Sequence, residues 1–312
     1  MLNAERDLPA CLRSIDGQAC RERVEVVVVD GGSSDATGGI ARAAGARVVP
    51  NPLRRAEPGV AIGMRAARAP LITVMAADNR MLGDDFVTTL LHTFEDPDVV
   101  AAFPRVVSPP GDRLVNRYFN RYSDPFNHFV YGSRHTSIDV ALRQEGEPQR
   151  LLLRPSVKDH PLLAVAQGCT VRAGSVYQAD PEAADDVVAI VKLIETGGSI
   201  ALLGGIRLEH GHVSSLAGVY RKYRRRSREA LGAEQGYLRR ETYLSRGRRL
   251  RTLLWIPYSA TVVPAVVHAI TMAVHRRDPL LLYHPIANTV LFAAVVAGVG
   301  PTYARRLVPG RS

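Results

Sequence analysis

The sequence predicts an α/β fold with a doubly wound, mostly parallel sheet, followed by two apolar helices near the C-terminal end. Two patterns predict the sheet: an unbroken apolar run at Val26–Val29, and the alternation of strand-like and helix-like segments from residue 8 to residue 103. A third pattern, two long uncharged stretches after residue 252, predicts the helices.

The segment Val24–Thr37 reads VEVVVVDGGSSDAT and joins a strand to a turn. Its run Val26–Val29 does not alternate, which is typical of a strand buried on both faces of a sheet covered by helices. Asp30 then lies at the carboxyl end of this strand, where open α/β sheets bind ligands. Two glycines allow a sharp turn, and the Ser and Asp residues after them can cap the next helix. The segment predicts a ligand-binding loop, although a plain capped turn has the same pattern.

Helix-like and strand-like segments alternate along the first hundred residues. The first is a helix, because Leu8, Cys11, Leu12 and Ile15 recur at helical spacing. Strands are predicted at Val24–Val29, Arg47–Val49, Leu71–Met75 and Val99–Phe103, with helices at Val60–Ala67 and Phe86–Phe94. The alternation resumes with a helix at Glu182–Thr196 and a strand at Ile200–Leu203. This order predicts mostly parallel strands connected by helices.

Residues 108–161 follow neither periodicity. Aromatic and polar side chains mix there, and the stretch is longer than an ordinary connection between elements. We predict a long, partly ordered excursion over the sheet with a functional role.

Two uncharged stretches follow, Leu253–Val274 with 22 residues and Leu280–Val299 with 20, and each is long enough to cross a bilayer. Arginines are more frequent on the outer flanks of the pair than in the turn between them, which places both ends in the cytoplasm. Several polar or helix-breaking residues make both stretches imperfect spans: Pro257, Pro264, His268, His284, Pro285 and Asn288. The prediction is a transmembrane helical hairpin, with a pair of buried core helices as the alternative.

Composition narrows the classes of protein further. A hydrophobic content of 46% over 312 residues supports a packed core rather than disorder. Three widely spaced cysteines predict neither a disulfide framework nor a CxxC metal site and fit a reducing cytosolic setting. The first residues carry Glu5, Arg6 and Asp7, so no secretory signal peptide is predicted.

Taken together, these segments resemble the family 2 glycosyltransferases of the GT-A fold, which are inverting enzymes that use nucleotide-diphosphate sugars. The resemblance runs from about Leu2 to Arg228. Leu2–Glu5 is similar to the end of the first nucleotide-binding loop of that family, the GGSSDAT turn to the second, and Asn51–Arg68 to its glycine- and alanine-rich helix. The resemblance implies that the residues holding the nucleotide are Asn3, Glu5, Asp30, Gly31 and Asp78.

The metal motif departs from the family pattern. The family has Asp-x-Asp after the fourth strand, whereas this chain has Ala76, Ala77 and Asp78. The resemblance implies that Asp78 binds a divalent cation, Mg²⁺ or Mn²⁺, which bridges the two phosphates of the donor. The loss of the first carboxylate puts sugar positioning in doubt, and Asp78 could instead be a simple turn residue.

A pair of acids is the candidate for the catalytic base. In the resembling enzymes a Glu-Asp pair at a helix start takes the proton of the acceptor, and Asp185 and Asp186 stand in that place here. We predict Asp186 as the base. Two adjacent acids also favour a helix N-terminus for electrostatic reasons alone, so a capping role is the alternative.

Two histidines and a basic helix complete the set. His210 and His212 look like the His-containing segment that closes the family's site, and we favour His212 slightly as a metal or diphosphate ligand, with a structural pair as the alternative. The residues after Leu216 predict a basic amphipathic helix that suits a diphosphate or anionic headgroups, although a solvated surface would look the same. Nucleic acid is not predicted as a partner, because no recognition motif accompanies these charges.

The first strand of the resembling fold has no counterpart, because a helix already begins near Leu8. We therefore expect a sheet that lacks a central strand, with unpaired backbone groups beside the gap. Either the true start lies upstream of Met1, or the nucleotide site is incomplete.

The predicted organisation is a GT-A domain at residues 1–235, a basic interfacial linker at 236–251, two transmembrane helices within 252–300 and a cytosolic tail at 301–312. The predicted function is transfer of a sugar from a UDP- or GDP-type donor to a lipid-linked or polysaccharide acceptor at the cytoplasmic face of the membrane, with Asn116–Gly132 on the acceptor side. Exopolysaccharide or cell-envelope synthesis is the nearest analogy. The alternative is a degenerate, non-catalytic domain that binds a nucleotide sugar.

Overall fold

The computed structural model of the chain describes residues 1–176, 184–211, 215–232 and 243–307. Its contacts divide the chain into two compact units. An α/β unit comprises Met1–Pro109 and Ile138–His210, and a helical unit comprises Pro110–Ser137 and Gly211–Ser312. The boundaries of these units are set by contacts within the structure, whereas the predicted domain boundaries were placed from the composition of the sequence.

The elements are numbered along the chain. The described strands are Val27–Asp30 (β1), Arg47–Pro50 (β2), Leu71–Val74 (β3), Asn79–Leu82 (β4), Val99–Val107 (β5), Arg150–Leu153 (β6), Cys169–Arg172 (β7) and Ser199–His210 (β8). The described helices are Leu8–Asp16 (α1), Thr37–Ala43 (α2), Ala56–Ala66 (α3), Phe86–Thr93 (α4), Leu114–Tyr122 (α5), Pro125–Tyr131 (α6), Ser133–Thr136 (α7), Ile138–Gln144 (α8), Asp186–Glu195 (α9), Leu216–Gly232 (α10), Arg246–Ala260 (α11), Val263–Arg276 (α12) and His284–Leu307 (α13). The helices and strands predicted in the first hundred residues are all present, with ends shifted by a few residues.

The strands of the α/β unit form two sheets. β1 and β2 pair in parallel, with Val28 opposite Val48. The larger sheet has the order β3-β7-β5-β8-β4, and β6 also pairs with β8. Within it β5 and β8 are parallel, and the pairs made by β3, β4, β6 and β7 are antiparallel. The larger sheet is therefore mixed, with β5 and β8 as its parallel pair.

Apolar side chains hold helices on both sheets. The predicted face of α1 is buried at Leu8, Cys11, Leu12 and Ile15. Helix α3 packs directly on β1, since a Cβ added at Gly63 would lie 2.9 Å from a methyl group of Val29. The glycine-rich pattern of this helix therefore has a packing reason. Only Val28 of β1 is fully buried, so the prediction of a strand buried on both faces is only partly met.

The stretch 108–161 is more regular than predicted. It contains the helices α5 to α8 and strand β6 instead of a partly ordered excursion. The aromatic residues of α5 face inward, and Tyr118, Phe119 and Tyr122 are buried in the helical unit. Short helices broken at Ser123 and Gly132, both with positive φ, explain why no single period is visible in the sequence.

The first predicted membrane span is not one straight helix. Residues Leu253–Val274 are divided between α11 and α12, which are bent by 107°. Val262 at the break has a φ of 60°, and Pro264, which lacks an N–H group, follows it at the start of α12. The segment Pro279–Gly300, which contains most of α13, is by length and composition able to cross a membrane. Among the described residues, one helix passes this test, or two if the bent pair counts as a span.

Candidate functional site

The turn after β1 is held together by its own polar side chains. Asp30 accepts hydrogen bonds from the backbone N–H of Ser33 at 3.2 Å and from its hydroxyl at 2.6 Å. Asp35 accepts from the backbone N–H of Thr37 at 3.0 Å, and the Thr37 hydroxyl lowers the pKa of this carboxyl. Asp35 precedes the N-cap residue Ala36 and therefore satisfies one backbone donor at the start of α2, that of Thr37.

The N-terminal loop lies against this turn. The side-chain oxygen of Asn3 accepts from the backbone N–H of Ser34 at 2.9 Å. Glu5 accepts from the backbone N–H of Ala36 at 3.1 Å. Both residues were predicted to hold a nucleotide; in this structure their oxygens bind and shape the second loop, so they position it. The structure thus brings the two predicted nucleotide loops together.

A small pocket opens at the carboxyl ends of β1 and β2. It has a volume of about 350 Å³, and Asp30, Gly31, Gly32 and Arg54 are among its lining residues. Arg54 donates hydrogen bonds to the carbonyl oxygens of Gly31 at 2.8 Å and Gly32 at 3.2 Å. A carboxylate and a guanidinium thus lie at the edge where open α/β sheets bind ligands.

The glycine at position 31 is required by close packing. Gly31 donates its N–H to the carbonyl oxygen of Met1 at 2.8 Å, and an added Cβ would lie 3.2 Å from that oxygen. A side chain here would push Met1 away from β1.

The turn between β3 and β4 contains Ala76, Ala77 and Asp78, the residues that stand in place of the Asp-x-Asp motif. Asp78 follows the exposed Ala76, and its Oδ2 lies 3.7 Å from Nε2 of His210. His210 is placed there by strand pairing, because it lies opposite Asn79 in the β4–β8 ladder. The Oδ1 atom of Asn79 accepts from the backbone N–H of Ala76 at 2.8 Å and fixes the turn. The structure therefore brings two predicted ligands, Asp78 and His210, together.

This donor set fits a divalent cation only in part. A carboxylate oxygen and an imidazole nitrogen at this separation can share one ion, and such ions are often completed by water and substrate phosphates. Among the described residues there is no group of three or more His, Cys, Asp or Glu side chains that could hold a metal. Glu209 is engaged elsewhere, in an ion pair with Arg80 at 2.9 Å. The pair thus supplies at most two of the ligands that such an ion needs.

The two acids that were candidates for the catalytic base lie at the start of α9. Asp185 is the N-cap, and its Oδ1 accepts from the backbone N–H groups of Val187 and Val188, each at 2.9 Å. Its carboxylate thus serves the capping role that was left open as an alternative. Asp186 is the first residue of the helix and is partly buried.

A loop connects the start of α9 to the end of β3. The backbone N–H of Val165 donates to the carbonyl oxygen of Asp186 at 3.0 Å. The backbone N–H of Gly168 donates to the carbonyl oxygen of Val74 at 2.7 Å. Val74 ends the strand that leads to Asp78. The loop therefore ties the backbone of the predicted base to the strand that leads into the predicted metal turn.

Two parts of the prediction remain open. His212 lies outside the described residues, so the preference for His212 over His210 is still a prediction. The basic helix is present as α10, and Arg221, Arg224, Arg225, Arg226 and Arg228 are exposed on it.

Sequence reasoning missed Arg54. Its signal was a pair of arginines just after the strand β2, the next strand along the chain from Asp30. Parallel neighbours end at the same edge of a sheet, so a cation there could have been assigned to the site of Asp30.

Comparison with protein-family models finds one match, to the N-terminal part of the chain. Residues 1–145 match the model of glycosyl transferase family 2. No curated protein sequence matches the chain.

Solved structures with some likeness have low sequence identity. A mannosyltransferase from Pyrobaculum calidifontis, solved with GDP-Man and Mn²⁺, is 15% identical with a TM-score of 0.48, and the match covers 92% of this chain and 83% of that one. S. aureus TarS 1-349 is 13% identical with a TM-score of 0.47, over 97% and 90% of the two chains. Glucosyl-3-phosphoglycerate synthase from Mycobacterium tuberculosis, solved with Mn²⁺ and UDP-glucose, is 17% identical with a TM-score of 0.41, over 69% of each chain.

Proposed function

We propose that this chain, whose residues 1–145 match the model of glycosyl transferase family 2, moves a sugar from a nucleotide-diphosphate sugar to a lipid-linked or polysaccharide acceptor at the cytoplasmic face of a membrane. The observation that carries the proposal is the Asp78–His210 pair, whose oxygen and nitrogen lie 3.7 Å apart at the turn after β3. A UDP- or GDP-sugar is the donor class that suits such a pair, because its two phosphates can complete the shell of a divalent cation.

The nucleoside is held at the end of β1. Asp30 lines the 350 Å³ pocket and accepts from ribose hydroxyls, and Arg54 lines the same pocket. Asn3 and Glu5 position the loop around it through the backbone of residues 34 and 36. The two loops therefore act together, and the loss of either weakens nucleotide binding.

Asp78 and His210 would hold a divalent cation, Mn²⁺ or Mg²⁺. When bound, the cation neutralises the charge that develops on the leaving diphosphate. With Ala76 in place of a first carboxylate, the chain contributes fewer negative charges to this site, so binding relies more on the donor's own phosphates.

Asp186 is the general base. It takes the proton of the acceptor hydroxyl as that oxygen bonds to the anomeric carbon, and the bond from this carbon to the diphosphate oxygen breaks on the opposite face, with its electron pair leaving on the nucleotide. The N-terminus of α9 stabilises the carboxylate, and Asp185 keeps that helix start in place.

The helical unit attaches the enzyme to the membrane. Helices α11 and α12 expose large apolar side chains; Leu253 is 69% and Val274 is 74% exposed. Isolated exposed leucines are ordinary, but here they repeat on two successive helices next to arginine-rich ends, which is the pattern of a lipid-facing surface. This surface, which we call the apolar face, consists of Leu250, Leu253, Leu254, Ile256, Val263, Val266, Val267, Ile270 and Val274.

The polar residues of these helices are turned inward. Asn288 accepts hydrogen bonds from Trp255 at 3.1 Å and Ser259 at 3.3 Å, and the hydroxyl of Tyr258 lies 2.9 Å from a nitrogen of each of His268 and His284. Hydrogen bonds between helices remove the cost of carrying these groups into an apolar phase. Of the residues that made the spans imperfect, His268, His284 and Asn288 thus have hydrogen-bond partners inside the helical unit.

The packing of α13 supports a cytoplasmic position for its C-terminal end. Gly298 lies against α10, where an added Cβ would be 2.7 Å from Cβ of Ser227 and 2.8 Å from the carbonyl oxygen of Arg224. The exposed arginines of α10 need water or anionic headgroups. The end of the apolar segment near Gly298 therefore lies at the cytoplasmic surface.

The experiment that tests the function uses membranes that contain the full chain. Release of nucleotide is measured from a panel of UDP-, GDP- and dTDP-sugars, with Mn²⁺ or with a chelator. We expect metal-dependent release from one donor, and a reduction in kcat of about 10²- to 10⁴-fold in Asp186→Asn. Glu195→Gln, an exposed acid near the other end of α9, is the matched control and should keep its activity.

A non-catalytic role is the competing proposal, and Ala76 is the residue that favours it. A degenerate domain would bind the nucleotide without releasing it from any donor, even with lipid-linked acceptors present. An Asp186→Asn variant that transfers sugar at the unmodified rate would rule out Asp186 as the base. Release of nucleotide from any donor by the unmodified chain would rule out the non-catalytic proposal.

A further inference from the structure

The chain enters β7 through a tight turn at residues 166–169. The backbone N–H of Cys169 donates to the carbonyl oxygen of Ala166 at 2.9 Å, and the two residues between them, Gln167 and Gly168, have φ values of 49° and 79°. A turn whose two central residues both have positive φ is of type I′, and such turns favour Asn-Gly or Gly-Gly. Glutamine lacks the short polar side chain that supports this conformation locally, so the backbone of Gln167 is strained.

Neighbouring strands hold this turn in place. The backbone N–H of Gly168 donates to the carbonyl oxygen of Val74 at 2.7 Å. A Cβ added at Gly168 would lie 2.7 Å from Cγ of Pro104 and 3.2 Å from a methyl group of Leu208. The turn is therefore closely packed against β5 and β8, and the surrounding sheet maintains the strain at Gln167.

The turn lies at the end of the sheet that also carries the two predicted metal ligands. The end of β3 pairs with the start of β7, and β7 lies between β3 and β8 in the strand order. Val74 of β3 comes two residues before Ala76, and Leu208 of β8 comes two residues before His210. The turn of Gln167 thus lies between the strand that leads to Ala76 and the strand that ends at His210.

The side chain of Gln167 is half-buried, and its carboxamide makes no hydrogen bond with any residue that the structure describes. A carboxamide offers an acceptor oxygen and two N–H donors, which suit hydroxyl groups that both donate and accept. Strain that the surroundings maintain at a polar residue indicates a ligand contact more often than a packing need. Ala76 cannot make such a contact, because its side chain has no polar atom.

We propose that Gln167 binds the sugar of the nucleotide-sugar donor through hydrogen bonds from its carboxamide to sugar hydroxyl groups beside Ala76. The inference rests on the proposed function, because it requires a nucleotide sugar as the ligand. A neutral amide supplies the polar contact that Ala76 does not make, and it adds no negative charge that would oppose the phosphates of the donor. The contact adds affinity only when the sugar is present, so it separates the donor from the bare nucleotide.

The test measures Kd for the UDP-, GDP- and dTDP-sugars of the release panel, and for UDP, GDP and dTDP alone, with Mn²⁺ and membranes that contain the full chain. Gln167→Gly removes the carboxamide and adopts positive φ without strain, so its melting temperature should not fall. We expect its Kd for the bound nucleotide sugar to rise at least about threefold, because hydrogen bonds to the sugar are lost, with Kd for the parent nucleotide unchanged.

Glu147→Gly is the matched control. Glu147 also has a positive φ, of 57°, and lies exposed in the loop after α8, so this change relieves the same kind of backbone without altering the turn of Gln167. Both Kd values should stay as in the unmodified chain.

An unchanged ratio of the two Kd values in Gln167→Gly would overturn the proposal. An equal loss of affinity for the sugar donor and for its parent nucleotide would also overturn it, because the turn would then have only a structural role. Absence of donor binding across the panel would overturn both this proposal and the proposed function. Donor binding without release of nucleotide would count against the transfer reaction alone, so the two failures are distinguishable.

Discussion

Oδ2 of Asp78 lies 3.7 Å from Nε2 of His210, although the two residues come from distant parts of the sequence. The contact follows from the antiparallel pairing of β4 with β8, which sets Asn79 opposite His210. The imidazole therefore lies beside Asp78, the remaining carboxylate of a motif in which Ala76 stands in place of the other acid.

Asp78→Asn is expected to raise the Mn²⁺ concentration that half-saturates nucleotide release by at least about tenfold, because a neutral amide oxygen replaces an anionic ligand. His210→Gln should act on the same quantity, and the double variant should cost less than the sum of the two, since both residues serve one ion. Asp84→Asn changes an exposed acid just after β4 and is the control. An unchanged metal titration in Asp78→Asn would contradict the assigned role.

Ala76→Asp tests whether the missing carboxylate limits the enzyme. Ala76 is exposed, and its backbone is held by Asn79 at 2.8 Å, so an aspartate fits without rebuilding the turn. We expect the half-saturating Mn²⁺ concentration to fall by about tenfold, since each added carboxylate strengthens a site for a hard cation. Ala76→Asn has nearly the same size without the charge and should not show this gain; equal behaviour of the two variants would argue that position 76 does not reach the ion.

Gly31→Ala and Gly39→Ala form a matched pair. An added Cβ at Gly31 would lie 3.2 Å from the carbonyl oxygen of Met1, whereas at Gly39 nothing lies within 4 Å. Gly31→Ala should lower the melting temperature and weaken nucleotide binding, because it separates the two loops. Gly39→Ala should leave binding unchanged and stabilise α2 by about 0.5–1 kcal/mol. Equal melting temperatures and equal nucleotide Kd for both variants would show that the Met1–Gly31 contact has no energetic role.

The features predicted from sequence were those with a local signal. An unbroken apolar run identified β1 and the carboxylate at its end, Asp30, whereas Asp78 was assigned from the resemblance to the Asp-x-Asp motif of the family. β4, β6 and β7 were missed although they are no shorter than β1, β2 and β3; β6, for example, lies within the stretch 108–161, whose sequence follows neither period. The inward packing of Tyr118 and the return of Arg54 to the loop of Gly31 depend on tertiary contacts, which leave no spacing in the sequence.

The roles of individual acids were also beyond the sequence. Asp185 and Asp186 are adjacent acids of the same type, yet Asp185 accepts two backbone N–H groups as a cap and Asp186 begins the helix. Which of two neighbouring acids caps a helix depends on where the first turn starts, and such boundaries are uncertain by one or two residues.

Membrane attachment through the apolar face is tested by Leu253→Glu combined with Val267→Glu. Both side chains are well exposed on α11 and α12, so a charge there leaves the interior of the helical unit unaltered. We expect partition of the full chain into anionic phospholipid vesicles to fall by at least about tenfold, because each change places a charge where an apolar side chain would contact lipid. Leu152→Glu is the control, because this leucine is exposed on β6 in the α/β unit. If the double variant binds vesicles as well as the control and the unmodified chain do, the attachment lies elsewhere. The helices α11 and α12, bent by 107°, would then be ordinary packed helices rather than a membrane-binding surface.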